Sequence, residues 1–474
     1  MKKSLVWFRR DLRLHDHVAL AQATKNSDAV FGIFIFDPAI LDKLEDKTDQ
    51  RVQFIHDSLI EMEETLNSHE SSLEIRFGAP KEEILDFCKK NNITDVFVNK
   101  DYEPQAKKRD EEVSKILAKE NITLHSHIDS VVFEASSTLK DDGTPYKVFT
   151  PYMRKWMSVL NQYGGEVALH SPNLKKMAKR NNPRSITKID WMKEIGFNKS
   201  PPHFKAGTIA AKKQLKEFSN KISDYGKMRD FPAADGTSNT SVYIRHGNIS
   251  VRDMVRAGKD GDTDGHHKWL AEVVWREFYQ CILDQFPYVT KGSFKPQYDE
   301  IKWRGTNAEF EAWKKGETGF PIVDSAMRCL KATGTMPNRL RMVVASFLCK
   351  TLLIDWRKGE AWFAAKLLDF DLAANNGGWQ WSASSGVDAQ PYFRIFNPYS
   401  QSEKFDKDGV FIRTWCPELS NIEGKYIHAP HTMTPMDQQL HGCIIGEDYP
   451  APIVDYSKKR MEALEMYKEA VKAP

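Results

Sequence analysis

A chain of 474 residues with 41% hydrophobic and 28% charged side chains can bury a large core in about two or three domains, which excludes a small stapled scaffold. Its 26 glycines and 22 prolines are too few for collagen-like or low-complexity sequence. The 68 basic and 65 acidic residues leave a net charge of +3, so a polyanionic partner has to be argued from local clusters.

In the opening MKKSLVWFRRDLRLHD the apolar run is too short and too charged for a signal peptide. No later stretch reaches the ~18 consecutive apolar residues of a membrane span. No membrane association is expected, and the expected location is cytoplasmic. Strand-like runs recur at 4–8, 29–36, 73–77 and 95–99, separated by helically periodic stretches at 51–66, 81–91 and 105–120. That alternation implies right-handed crossovers and a parallel sheet covered on both faces, so residues 1–130 are expected to form a doubly wound α/β domain. It has neither a GxGxxG after its first strand nor a P-loop. From 131 to 202 the pattern dissolves into polar, proline-containing sequence, read as an interdomain connection with some helix. Residues 203–474 carry long periodic stretches at 266–283, 321–333, 339–356 and 361–368 and are expected to form a mainly α-helical domain. The six cysteines are scattered without a CxxC pair, which disfavours a zinc site and a disulfide framework, and no metal is expected.

Four segments could carry chemistry. In HHKWLAEVVWREFYQ (266–280), helical spacing groups Glu272, Trp275 and Tyr279 in one sector with Trp269 at its edge, a core stripe or else a pocket floor with flat rings and one carboxyl group. The region 331–360 has six basic residues against Asp355 and Glu360, with Asn338 and Met342 one turn apart and Arg339 and Arg341 beside them, either a solvated face or a phosphate-binding one. In LLDFDLAANNGGWQW, acids, amides and paired glycines interrupt helical sequence and offer polar groups to a ring system. The run Thr237, Ser238, Asn239, Thr240, Ser241 is a hydroxyl-rich loop, an ordinary linker or a pyrophosphate cradle.

Several long strings, VWFRRDLRLHD, WREFY, NRLRM with LLIDWR, and NNGGWQW followed by PYFRIFNP, together resemble the photolyase/cryptochrome flavoproteins in order and over nearly the whole chain. The resemblance implies FAD in the helical domain, active as FADH−. Its matching positions are Tyr225, the Thr237–Ser241 loop, Trp269, Asp369, Phe370, Asp371 and Asn375, with Asn375 facing the reactive ring nitrogen. It implies DNA carrying cyclobutane pyrimidine dimers as substrate. Glu272, Trp275, Tyr279, Asn338, Met342 and Trp381 would then form the lesion pocket, and Arg229, Arg339, Arg394 and Gln401 the DNA-contacting rim. It further implies a tryptophan relay through Trp379, Trp356 and Trp303, and a monomer.

The implied reaction is light-driven electron transfer from FADH− to a lesion flipped out of the duplex, with Glu272 stabilising the charged dimer. Enzymes for (6-4) photoproducts typically have a histidine near the position of Asn338, and here no histidine lies between His267 and His428. A cryptochrome photoreceptor without repair activity is the alternative, and a member restricted to single strands a third reading. Asn375 and the lack of a long C-terminal tail favour the enzyme. The flavin loop reads TSNTSVYI where the family commonly has TSRLSPYL. Gln105 and Ala106 replace the asparagine–glutamate pair of folate-binding members, which speaks against folate and leaves any antenna chromophore unidentified.

Overall fold

The computed structural model describes residues 1–180, 182–200 and 203–472. Pro202 and Pro474, where the sequence reading ends its connection and its helical domain, lie outside them. Five strands, β1 (Lys3–Phe8), β2 (Ala29–Phe36), β3 (Leu73–Phe77), β4 (Asp95–Asn99) and β5 (Thr123–His127), form one sheet in the order β3-β2-β1-β4-β5. Every pairing is parallel, with Lys3 opposite Ala29 and Ser4 opposite Asp95.

The crossovers run through α1 (Val18–Asn26), α2 (Gln50–Ser68), α3 (Pro80–Asn91) and α4 (Pro104–Ala118). Because side chains alternate along a strand, Val6, Phe8, Phe34 and Phe36 pack with Leu20, Leu59 and Leu66 of α1 and α2. Leu5, Trp7, Ile33 and Ile35 pack with Ile84, Phe87, Val113 and Leu117 of α3 and α4. Both faces are dry, so β1, β2 and β4 read as near-continuous apolar runs. The fifth strand, TLHSH, has no such run. It pairs only with β4 and is half-exposed along most of its length, so no pattern announced it.

Part of the stretch read as connection completes this core: Ile186, Trp191, Met192 and Phe197 join the face covered by α1 and α2, and Ile75 N donates to Arg184 O (2.9 Å). Helix α5 (Phe149–Gln162) lies in the same stretch. The described residues divide into two compact units. The first takes in 1–146, 150–222 and 238–285, and the second takes in 147–149, 223–237 and the chain from Phe286 onward.

The first unit includes helix α6 (Asp264–Gln285). The second is built on α7 (Pro321–Thr333), α8 (Asn338–Lys350), α9 (Trp356–Lys366), α10 (Leu372–Ser382) and α11 (Tyr456–Lys472). Among the described residues from 203 onward there are helices and one isolated bridge, Ile445 to Tyr449, but no strand. The helix expected over 339–356 stops at Lys350. Leu353 takes φ +54°, and Asp355 accepts from Arg357 N (3.0 Å) to cap a new helix at Trp356, so the stretch expected at 361–368 begins five residues earlier. All six cysteines are free. Among the described residues no helix is long and apolar enough to cross a membrane, and no cluster of His, Cys, Asp or Glu could hold a metal.

Candidate active site

In the second unit the acid–amide segment lies where α9 gives way to α10. Asp371 caps α10 by accepting from Ala374 N (3.1 Å), which fixes the segment's path into the helix. Asp369 is buried and its Oδ2 accepts from Arg341 Nη2 of α8 (2.7 Å), while its Oδ1 has no partner among the described residues. Arg341 is fixed in turn by donating from Nε to Met336 O (2.7 Å). A buried carboxylate oxygen left open is unfavourable unless a ligand donor meets it.

Asn375, also buried, donates from Nδ2 to Glu360 O (3.1 Å), which leaves its amide oxygen as the end available to a ligand. Behind it Asn376 donates to Glu360 Oε1 (3.0 Å) and to Val289 O (3.0 Å), and accepts from Gln380 Nε2 (3.0 Å). Burial raises the pKa of Glu360 above its ordinary value. The sequence offers Asn376 as one of the amides of this string and Glu360 only as a charge beside the basic segment; Gln380, one helical turn beyond Asn376, was not singled out.

The tryptophan positions grade from inside to surface. Trp379 and Trp356 sit in the core of the second unit, and half-buried Trp303 packs against that core. Trp379 meets Phe363 edge-on (5.0 Å) and Trp313 edge-on (6.1 Å). A Cβ on Gly359 would fall 2.1 Å from Trp379 Cη2, so a glycine is required there for the ring to approach α9. Trp313 is a neighbour that the sequence reading did not name.

At the start of α8, exposed Asn338 donates to Met342 Sδ (3.8 Å) one turn on, so the two share an edge as their spacing requires. Arg339 instead donates to Asp230 Oδ2 (2.8 Å) and lies 4.4 Å from the centroid of Phe405. Arg229 lies within ion-pair reach of the same Asp230 (4.0 Å) and above Tyr225 (5.4 Å). One internal carboxylate therefore already serves two of the expected rim cations. Trp381 and Phe370 are half-buried, Arg394 is exposed, and Gln401 has a buried, unpartnered Oε1.

In the first unit α6 places Trp275 and Tyr279 together, ring centroids 5.4 Å apart and 35° between planes, with half-buried Glu272 in the same sector. Trp269 is buried, donates to Met254 O (3.1 Å) and packs on Phe218 (4.7 Å). The loop is tied by hydroxyls: Ser238 and Thr240 share a hydrogen bond (2.8 Å), and Gln214 Nε2 donates to Ser238 O (3.0 Å). Exposed Asn239 has φ +52°, a conformation that asparagine tolerates better than most residues. Thr237 belongs to the second unit, and both it and the loop's Ser241 lie toward the surface.

The buried acid of α6 is Glu277, which the sequence reading passed over. It accepts from Val132 N (2.6 Å), Phe133 N (3.1 Å) and Trp156 Nε1 (2.7 Å), and burial pushes its pKa up to about 7. The first unit also contains a pocket reached by the carboxyl ends of β1 and β4, where the strand order reverses. Arg9, Arg10, Lys100, Arg245 and Arg276 line it together with Asp101 and Tyr102. The Tyr102 hydroxyl is buried without a partner.

Two family models match the sequence, one described as DNA photolyase over residues 4–173 and one as the FAD binding domain of DNA photolyase over 269–469. The deoxyribodipyrimidine photo-lyase of Escherichia coli K12 is 39% identical with all of both chains aligned, and that of Vibrio cholerae is 38% identical over 98% of this chain and 99% of its own.

The chain belongs to the DNA photolyase family.

A class III photolyase from Agrobacterium tumefaciens superposes with a TM-score of 0.90 (33% identity, 100% of this chain and 98% of that one). An archaeal photolyase from Sulfolobus tokodaii, solved with two FAD molecules, gives 0.83 (31%, 98% and 100%), and a Synechocystis cryptochrome gives 0.87 (26%, 98% and 99%). This photolyase-family chain is an FAD-dependent enzyme. The open Asp369 Oδ1 and the oriented Asn375 amide fit a flavin, because they leave an acceptor each for ring or ribityl donors.

Proposed function

We propose that this photolyase-family protein reverses cyclobutane pyrimidine dimers in DNA in a light-driven reaction. The observation that carries the reading is the first turn of α8, whose outer edge presents Asn338 with Met342 while the neighbouring Arg341 turns to buried Asp369. One short segment thus offers a hydrogen-bonding amide and a soft thioether to a pyrimidine pair, and joins them to the acid that we assign to the flavin.

Asp369, Phe370, Asp371 and Asn375 hold the cofactor together with Tyr225, the Thr237–Ser241 loop and Trp269. When bound as FADH−, the flavin supplies the light absorption and the electron that opens the cyclobutane ring. Trp275 and Tyr279 offer a flat apolar wall to the flipped lesion, with Trp381 a second one. Glu272 hydrogen-bonds the lesion's polar edge where negative charge develops. Arg394 and Gln401 meet the DNA backbone, and Arg229 and Arg339 support that rim through Asp230. Trp379, Trp356 and Trp303 return oxidised cofactor to its working state. The protein acts as a monomer in the cytoplasm, with any second chromophore held in the cationic pocket at the ends of β1 and β4.

Likeness to the Synechocystis cryptochrome at 26% identity keeps a photoreceptor role as the second reading. One assay tests both. Oligonucleotides carrying either a cyclobutane dimer or a (6-4) photoproduct are incubated with reduced protein in light and in darkness, and restored pyrimidines are counted. Light-dependent restoration of the cyclobutane substrate alone is expected. No restoration in light would favour the photoreceptor, and restoration of the (6-4) substrate would overturn the lesion assignment.

A further inference from the structure

Lys350, the last residue of α8, is wholly buried. Among the described residues no carboxylate is seen to pair with it, so the fold bears an amine without a counter-charge where an apolar side chain of similar length would fill the space. What the amine holds is specific. Nζ donates to Ser384 Oγ (2.8 Å) and to the backbone carbonyl of Arg394 (3.1 Å), and lies 5.7 Å from the Tyr467 ring centroid.

Ser384 and Arg394 bracket a loop that follows α10, in which Ser384 (φ +65°) and Asp388 (φ +45°) adopt left-handed backbone. A turn from Pro391 to Arg394, closed by Arg394 N donating to Pro391 O (3.0 Å), presents Phe393 at 62% exposure beside exposed Arg394. Just beyond, Phe396 N donates to Ser346 Oγ (3.3 Å), again on α8.

We propose that Lys350 is a positioning residue for lesion binding: its amine ties both ends of the 384–394 loop to α8 and so fixes where Arg394 meets DNA. The proposal rests on the reading of Arg394 as a DNA contact. Burial, opposed by Cys349 and aided by the Arg394 cation, lowers the amine's pKa to about 7. Tyr467 of α11 also faces the amine. A buried amine without a counter-charge costs stability, and what it orders is the 384–394 loop.

The Lys350→Met variant separates the two. Thermal stability is expected to be unchanged or higher. Affinity for an oligonucleotide with a cyclobutane dimer is expected to fall by about tenfold. The repair yield per absorbed photon at saturating DNA, and the flavin spectrum, are expected to stay at the parent's values. Backbone amides of 386–396 should exchange hydrogen faster in the DNA-free variant. Ser384→Ala, which removes one of the two acceptors and leaves the lysine in place, should show a smaller loss of affinity in the same direction. Stability and affinity falling together, or affinity unchanged in both variants, would overturn the proposal. A parent protein that binds no lesion DNA would overturn the reading beneath it, and the exchange rates would show that case separately.

Discussion

Two buried acids, one in each unit, show what separates a structural carboxylate from a site. Glu277 on α6 receives three protein donors and has no oxygen left to offer. Asp369, between α9 and α10, receives one guanidinium and keeps an oxygen open. Both are more than nine-tenths buried, so burial does not distinguish them. The completeness of the hydrogen bonding does. A satisfied buried acid specifies a local fold, and an open one leaves an acceptor that a water or a ligand donor can meet.

The largest effect expected from this contrast is on stability. Glu277→Ala strands the N–H groups of Val132, Phe133 and Trp156 and should destabilise the first unit by about 3 kcal/mol, read by chemical denaturation. A loss below about 1 kcal/mol would mean that water replaces the carboxylate. Gly359→Ala comes next, because the added methyl meets the Trp379 ring. Destabilisation of about 2 kcal/mol should accompany slower light-driven reduction of oxidised flavin as Trp379 moves. Normal photoreduction despite lost stability would separate Trp379 from the relay.

The pH dependence of Glu277 sharpens the same comparison. Its folded pKa, about 7, lies above the ordinary 4.5, so the group's contribution is complete below 4.5 and is lost as pH rises through 7. Stability should decline across that window in the parent, and the Glu277→Gln variant should show a shallower decline. A parallel decline in both proteins would show that this carboxyl is ionised throughout.

The smallest effect concerns the rim. Arg394→Ala should make the log–log slope of DNA affinity against salt shallower by about one unit, and Arg339→Ala by less than that, since Asp230 already neutralises Arg339. Equal slopes for the two variants would show that Arg339 leaves Asp230 when DNA binds.

The fold was legible where one physical rule dominated. Parallel strands dry on both faces leave apolar runs, so β1, β2 and β4 could be read directly, and β3 from its alternation of Leu73, Ile75 and Phe77 with charged residues, whereas the half-exposed edge strand β5 leaves none. The break between α8 and α9 was hidden because apolar spacing runs through it. Its signal was Asp355, a capping residue inside an otherwise apolar string. Among candidate site residues, those in short strings with strong local chemistry could be named, as with Asp369, Asp371 and Asn375. Pairings over long sequence separation could not. The ties between Arg339 and Asp230, Glu277 and Trp156, and Lys350 and Arg394 depend on tertiary placement that no spacing encodes.

The central claim is that the open carboxylate of Asp369 marks the cofactor site. The most direct measurement is the flavin released by denaturing the purified parent and its Asp369→Ala variant, each refolded with excess FAD and freed of unbound ligand. The account predicts FAD equimolar with the parent chain and little or none with the variant, while circular dichroism shows both equally folded. A folded Asp369→Ala variant that retains equimolar FAD would contradict it.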